Sequence, residues 1–128
     1  MKAFLLFGTL LLAACGRGPI VTDCISSPRE DLFRCHNGGN NQALQLKPAQ
    51  ITNWLCFSPK DVDGYLKACK ARRKPPVVDP CIVGTPSENY QFFCAEKVIP
   101  FLETENFVCF SQADFTAIET FCFEERNK

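Results

Sequence analysis

Eight of the nine cysteines form two sets of four that answer one another along this 128-residue chain. Asn53-Trp54-Leu55-Cys56-Phe57-Ser58-Pro59-Lys60-Asp61 leads to Cys69, and Asn106-Phe107-Val108-Cys109-Phe110-Ser111-Gln112-Ala113-Asp114 leads to Cys122. Upstream, Asp23-Cys24-Ile25 answers Asp79-Pro80-Cys81-Ile82, and Pro28-Arg29-Glu30 answers Pro86-Ser87-Glu88. Cys35 and Cys94 complete the sets. A unit written twice limits the chain to folds that one half can share with the other.

An even set of cysteines in an exported chain implies a disulfide framework. Zinc is the competing use of cysteine. The sequence holds no Cys-x-x-Cys pair and one histidine, His36, so neither metal nor cofactor is expected.

The fold expected from local signals is all-α. Ser27-Pro28-Arg29-Glu30, Thr85-Pro86-Ser87-Glu88, Ser58-Pro59-Lys60-Asp61 and Ser111-Gln112-Ala113-Asp114 each carry a capping hydroxyl and an acidic residue three positions on. These hydroxyls read as helix caps and not as nucleophiles. Val62, Tyr65, Leu66 and Cys69 fall three to four apart, as do Phe115, Ile118, Phe121 and Cys122, and Tyr90, Phe93, Cys94 and Val98. Asn37-Gly38-Gly39 and Pro100 read as helix stops. The expectation is two tandem antiparallel helical hairpins, each stapled by two disulfides. The repeats cover 20–73 and 81–125, with a linker at 74–80.

Two cysteines flanking one helix lie more than ~10 Å apart at ~1.5 Å rise per residue, whereas a disulfide holds its Cα atoms within about 7 Å. The expected bonds therefore join the start of one helix to the end of the next: Cys24–Cys69, Cys35–Cys56, Cys81–Cys122 and Cys94–Cys109. This arrangement is similar in architecture to the twin-cysteine helical hairpins of mitochondrial intermembrane-space proteins. No activity follows from that likeness.

Met1-Lys2 and the apolar run Ala3 to Ala14 read as an export signal, too short for the ~20 residues that cross a bilayer. Leu12-Ala13-Ala14-Cys15 resembles the lipobox of bacterial lipoproteins. The resemblance covers the signal alone and implies that Cys15 becomes a lipid-bearing first residue. The competing cut falls after Gly16 and leaves a free secreted protein. In either case residues 1–16 contain the cleaved segment.

Net charge is zero, so bulk charge gives no reason to expect a nucleic-acid partner. The halves differ, however. Residues 17–80 hold 10 basic and 6 acidic side chains, and residues 81–128 hold 3 and 8. The halves could attract each other, or Lys70-Ala71-Arg72-Arg73-Lys74 could face an anionic partner. That run is also a candidate processing site after Arg73, which would release two peptides. Its plainest reading is a solvated helix end. His36 reads as a helix-end histidine, and Trp54, Phe57, Phe107 and Phe110 as core around the cysteines.

Glu103, Glu105, Glu119, Glu124 and Glu125 form no acid/base pattern, and no nucleophile–base set stands out. The expected function is non-enzymatic. The first reading is an extracytoplasmic interaction or structural module, lipid-anchored at a membrane and facing a protein or surface partner. The alternative is a soluble secreted effector: a toxin, pheromone or signalling protein.

Overall fold

The computed structural model describes residues 18–84 and 90–128. It overturns the all-α expectation: the centre is an eight-stranded antiparallel sheet carrying two helices. The strands are β1 (Thr22–Ser27), β2 (Leu32–Asn37), β3 (Gln42–Leu46), β4 (Leu55–Phe57), β5 (Cys81–Val83), β6 (Phe92–Cys94), β7 (Lys97–Ile99) and β8 (Val108–Phe110). The helices are α1 (Pro59–Lys70) and α2 (Gln112–Arg126). Spatial order across the sheet is β3-β2-β1-β8-β4-β5-β6-β7.

That order has a twofold centre between β8 and β4. Three strands of one half, then the last strand of the other, lie on each side. The register obeys the same symmetry: Cys56 faces Cys109, while Leu55 faces Phe110 and Phe57 faces Val108. Each half thus lends its final strand to the other half's three. Neither half owns a complete four-stranded layer.

Two of the four cap signatures open helices. Asp61 N–H donates to Ser58 Oγ at 3.2 Å, and Asp114 N–H to Ser111 Oγ at 3.1 Å. The Ser27 signature opens only a single 3₁₀ turn, Pro28–Glu30, with no side-chain cap bond. Asp31 then turns left-handed at φ 56°, and the chain returns as β2. The matching Thr85 signature lies outside the described residues. Tyr90, in the place that corresponds to Asp31, is also left-handed at φ 53°. The spacing of Tyr90, Phe93, Cys94 and Val98 belongs to the hairpin β6–β7 and not to a helix. Asn37-Gly38-Gly39 turns β2 into β3 instead of ending a helix. A Cβ on Gly38 would lie 2.7 Å from the Val21 carbonyl oxygen, so the turn needs glycine there.

The disulfides correct the expected pairing. They join Cys24–Cys35, Cys56–Cys109, Cys69–Cys122 and Cys81–Cys94. Cys24–Cys69, Cys35–Cys56, Cys81–Cys122 and Cys94–Cys109 do not form. The geometric rule still separates Cys56 from Cys69. It failed for Cys24 and Cys35 because a hairpin, not a helix, connects them and brings their Cα atoms to 4.0 Å. The likeness to twin-cysteine helical hairpins falls with the pairing.

Cys35, Cys24, Cys109, Cys56 and Cys81 occupy successive facing positions across the sheet, and Cys94 extends the row through its bond to Cys81. Three disulfides therefore stand side by side on one face. Phe33, Phe92, Phe101, Ile51 and Val83 bury around them, with Trp54 and Phe107 packed alongside. Phe33 and Phe101 stack at 5.3 Å between ring centroids. The helices cover the middle of the opposite face, where Phe57, Val108, Phe110, Val62 and Ile118 close around Cys69–Cys122. Opposite faces of β4 and β8 serve the two cores, as the alternation of strand side chains requires.

Candidate functional site: a groove between the helices and the linker

Cys69–Cys122 fixes α1 beside α2 with a Cα separation of 5.2 Å. Their facing aromatics fill the seam. The Phe115 ring centroid lies 4.8 Å from Phe57, 5.7 Å from Tyr65 and 6.2 Å from Phe110. The segment leaving α1 crosses this seam, and Val78 docks in the helix-side core. Between segment and helices lies a groove of about 220 Å³, lined by Tyr65, Lys74, Pro75, Pro76, Val77, Val78, Phe115, Glu119 and Arg126.

The groove has an aromatic floor and a charged rim. Burial, aided by the Glu119 charge and opposed by Arg126, pushes the Tyr65 phenol above its ordinary value. Tyr65 is therefore a neutral hydrogen-bond donor at physiological pH and not a base. Among the described residues, Lys74, Glu119 and Arg126 take no part in the recorded ion pairs. Arg126 lies 5.1 Å over the Phe123 ring. Such a site can hold an apolar group and orient a polar one; it offers no activated nucleophile.

His36 lies within β2 and not at a helix end. Its Nδ1 is 3.8 Å from Asp23 Oδ1, and its Nε2 is 2.7 Å from Asn41 Oδ1. Asp23 is only 3 % exposed. Burial outweighs the nearby imidazole and pushes its carboxyl up to about 6. Both imidazole nitrogens face the chain's own side chains, a structural arrangement and not an open base.

Trp54 and Phe107 pack at the disulfide row, while Phe57 and Phe110 pack under the helices. Lys70, Arg72, Arg73 and Lys74 are exposed at the end of α1. Arg72 is left-handed at φ 58°, and its N–H reaches Cys69 O at 3.0 Å, while Arg73 N–H reaches Ala68 O at 2.9 Å. A cut after Arg73 would leave its two pieces joined through Cys56–Cys109 and Cys69–Cys122. The opposite charges of the halves meet at Arg72 and Glu125, 3.8 Å apart. Cys15 lies outside the described residues.

The three-to-four spacing marks Tyr65 and Phe115 as core faces and carries no sign of the groove above them. The available signal was Pro75-Pro76-Val77-Val78, an apolar stretch in a linker that a purely solvated connection does not need.

Four disulfides place the chain among proteins of oxidising, extracytoplasmic compartments. Among the described residues, no helix is long and apolar enough to cross a membrane, and no three His, Cys, Asp or Glu side chains gather as a metal site. No protein-family model matches the chain, and neither a curated protein nor a solved structure does.

Proposed function

We propose that this protein is a non-enzymatic extracytoplasmic interaction module, anchored through a lipid on Cys15, that receives its partner at the groove between the helices and the linker. The observation that carries the reading is the covalent frame around that groove. Cys69–Cys122 locks the helix pair and Cys56–Cys109 locks the strands beneath it. A groove held this way loses little freedom on binding, so its contacts convert into affinity instead of offsetting ordering costs.

Two measurements test the two parts. The intact mass of natively produced protein shows a diacyl or triacyl adduct on Cys15 if it is anchored. An N-terminus at Arg17 removes the anchor and leaves the free secreted effector. For the groove, a photo-crosslinker replaces Val77, which is 90 % exposed at the groove. Its control replaces Leu102, 75 % exposed and not among the groove residues. Cross-linking of one partner from both positions alike would remove the groove from the proposal.

A further inference from the structure

The two outermost strands correspond under the twofold, yet only one is short and charged. β7 is three residues long, begins at Lys97 and is followed two positions on from Val98 by Pro100. Charge, brevity and proline are the usual means by which a sheet edge is kept from pairing. β3 is longer and carries neither charge nor proline within its span, Lys47 and Pro48 coming only after its last residue. Its five residues read Gln42-Ala43-Leu44-Gln45-Leu46.

The hydrogen-bond phase of that edge follows from the disulfide row. Cys24 and Cys35 face each other at a Cα separation of 4.0 Å, the close spacing of a non-hydrogen-bonded pair. Cys35 therefore directs its N–H and C=O away from β1, toward its β3 partner Leu44. Leu44 spends its own groups on Cys35. Ala43 and Gln45, both exposed, direct theirs outward from the sheet. On β7 the same phase leaves only Val98 pointing outward. A groove of about 450 Å³ runs beside the open edge, lined by Arg34, Cys35, Ala43, Leu44 and Gln45.

We propose that the β3 edge is a self-association site, pairing antiparallel with β3 of a second copy about a twofold through Leu44. In that register Ala43 meets the partner's Gln45 as a hydrogen-bonded pair, and the reverse pair repeats it. Leu44 meets the partner's Leu44 as the close, non-hydrogen-bonded pair. A second copy is the occupant because the strand is its own complement. Leu meets Leu, Ala meets Gln, and no like charges oppose each other. Of the nearest charges, Arg34 is bonded to Glu30 at 2.6 Å, and Lys47 would face the partner's uncharged Asn41 and not a second cation. The site is independent of the groove and of any anchor.

Sedimentation velocity of the oxidised full chain tests this over a concentration series. A contact this small predicts a dissociation constant of about 10 μM to 1 mM. Gln45→Pro deletes an outward donor at two symmetric places and leaves the β2–β3 bonds intact. It raises that constant about tenfold or more. Ala43→Lys/Gln45→Lys sets like charges opposite each other and dissociates the dimer. Ala43→Glu/Gln45→Lys sets opposite charges in the same places and retains it. A monomer up to about 1 mM overturns the proposal. So does a dimer indifferent to the two charge pairs, which also decide the matter should Gln45→Pro fail to fold.

Discussion

Cys56 is bonded to Cys109, the residue that holds its own place in the other half, 53 positions along the chain. Cys69–Cys122 repeats the relationship with the same separation. A residue can bond to its counterpart only where a twofold axis brings the two together. The halves are thus covalently one body. Trypsin cutting after Arg73 is expected to add one water to the non-reduced mass and leave a single species. Reduction then separates two chains. Two separate masses before reduction would contradict the pairing.

Ser26 and Thr104 form a polar contact where the twofold places an apolar one. The Ser26 hydroxyl donates to the Thr104 carbonyl and accepts from Phe107 N–H at 2.9 Å. Val83 and Ile51 occupy the corresponding positions, both 0 % exposed. Ser26→Ala leaves that carbonyl without its hydroxyl partner and is expected to cost about 1–3 kcal/mol. Val83→Ser, which removes buried methyls and buries a hydroxyl, is expected to cost at least as much. Urea midpoints measure both. A neutral Ser26→Ala would mean that the hydroxyl contributes nothing.

Acid should stabilise the region around Asp23. Burial raises its carboxyl from 3.8 to about 6, so the folded chain holds a proton that the unfolded chain releases between those values. Stability from this group is complete below the lower value and is lost as pH rises through the upper one. The loss is about 3 kcal/mol at most, at 1.36 kcal/mol per unit. Unfolding at about pH 4 and about pH 7 should show it, and Asp23→Asn should flatten the difference. A variant as pH-dependent as the parent would assign the effect elsewhere.

The aromatic cluster on the disulfide face should dominate the response to core truncation. Phe92 stacks with Phe33 at 6.4 Å and with Phe101 at 5.9 Å, and meets Phe107 edge-on at 5.9 Å. Phe92→Ala is expected to cost about 3–5 kcal/mol in chemical denaturation. The solvent-facing Leu102→Ala should cost under about 0.5 kcal/mol. Equal midpoint shifts for the two would contradict the packing.

The residues from Asn53 onward and from Asn106 onward state their structure locally. Ser58 and Ser111 cap real helices whose periodic faces bury where the spacing requires. The segments before them do not. Cys24 to Cys35 and Cys81 to Cys94 are hairpins whose strands are fixed by partners far along the chain: Ile25 pairs with Val108, and Leu55 with Ile82. A Ser-Pro-x-Glu signature is satisfied equally by one 3₁₀ turn and by a long helix, and nothing local to it records which follows. The groove was hidden for a related reason. It forms only when Cys122 brings Phe115 to Tyr65 and the linker folds back across both.

The row of three disulfides also sets how the sheet would answer a pull on its ends. The bonds tie β2 to β1, β8 to β4 and β5 to β6. The seams between β1 and β8 and between β4 and β5 rely on hydrogen bonds and packing alone. Under tension on its two ends the β1–β8 seam should part and β3 should peel from β2, while each bonded pair stays together as a stiff double-stranded strap. Its extension at rupture would then stop far short of the length of its backbone, with the slack between cysteines locked in loops that force cannot open.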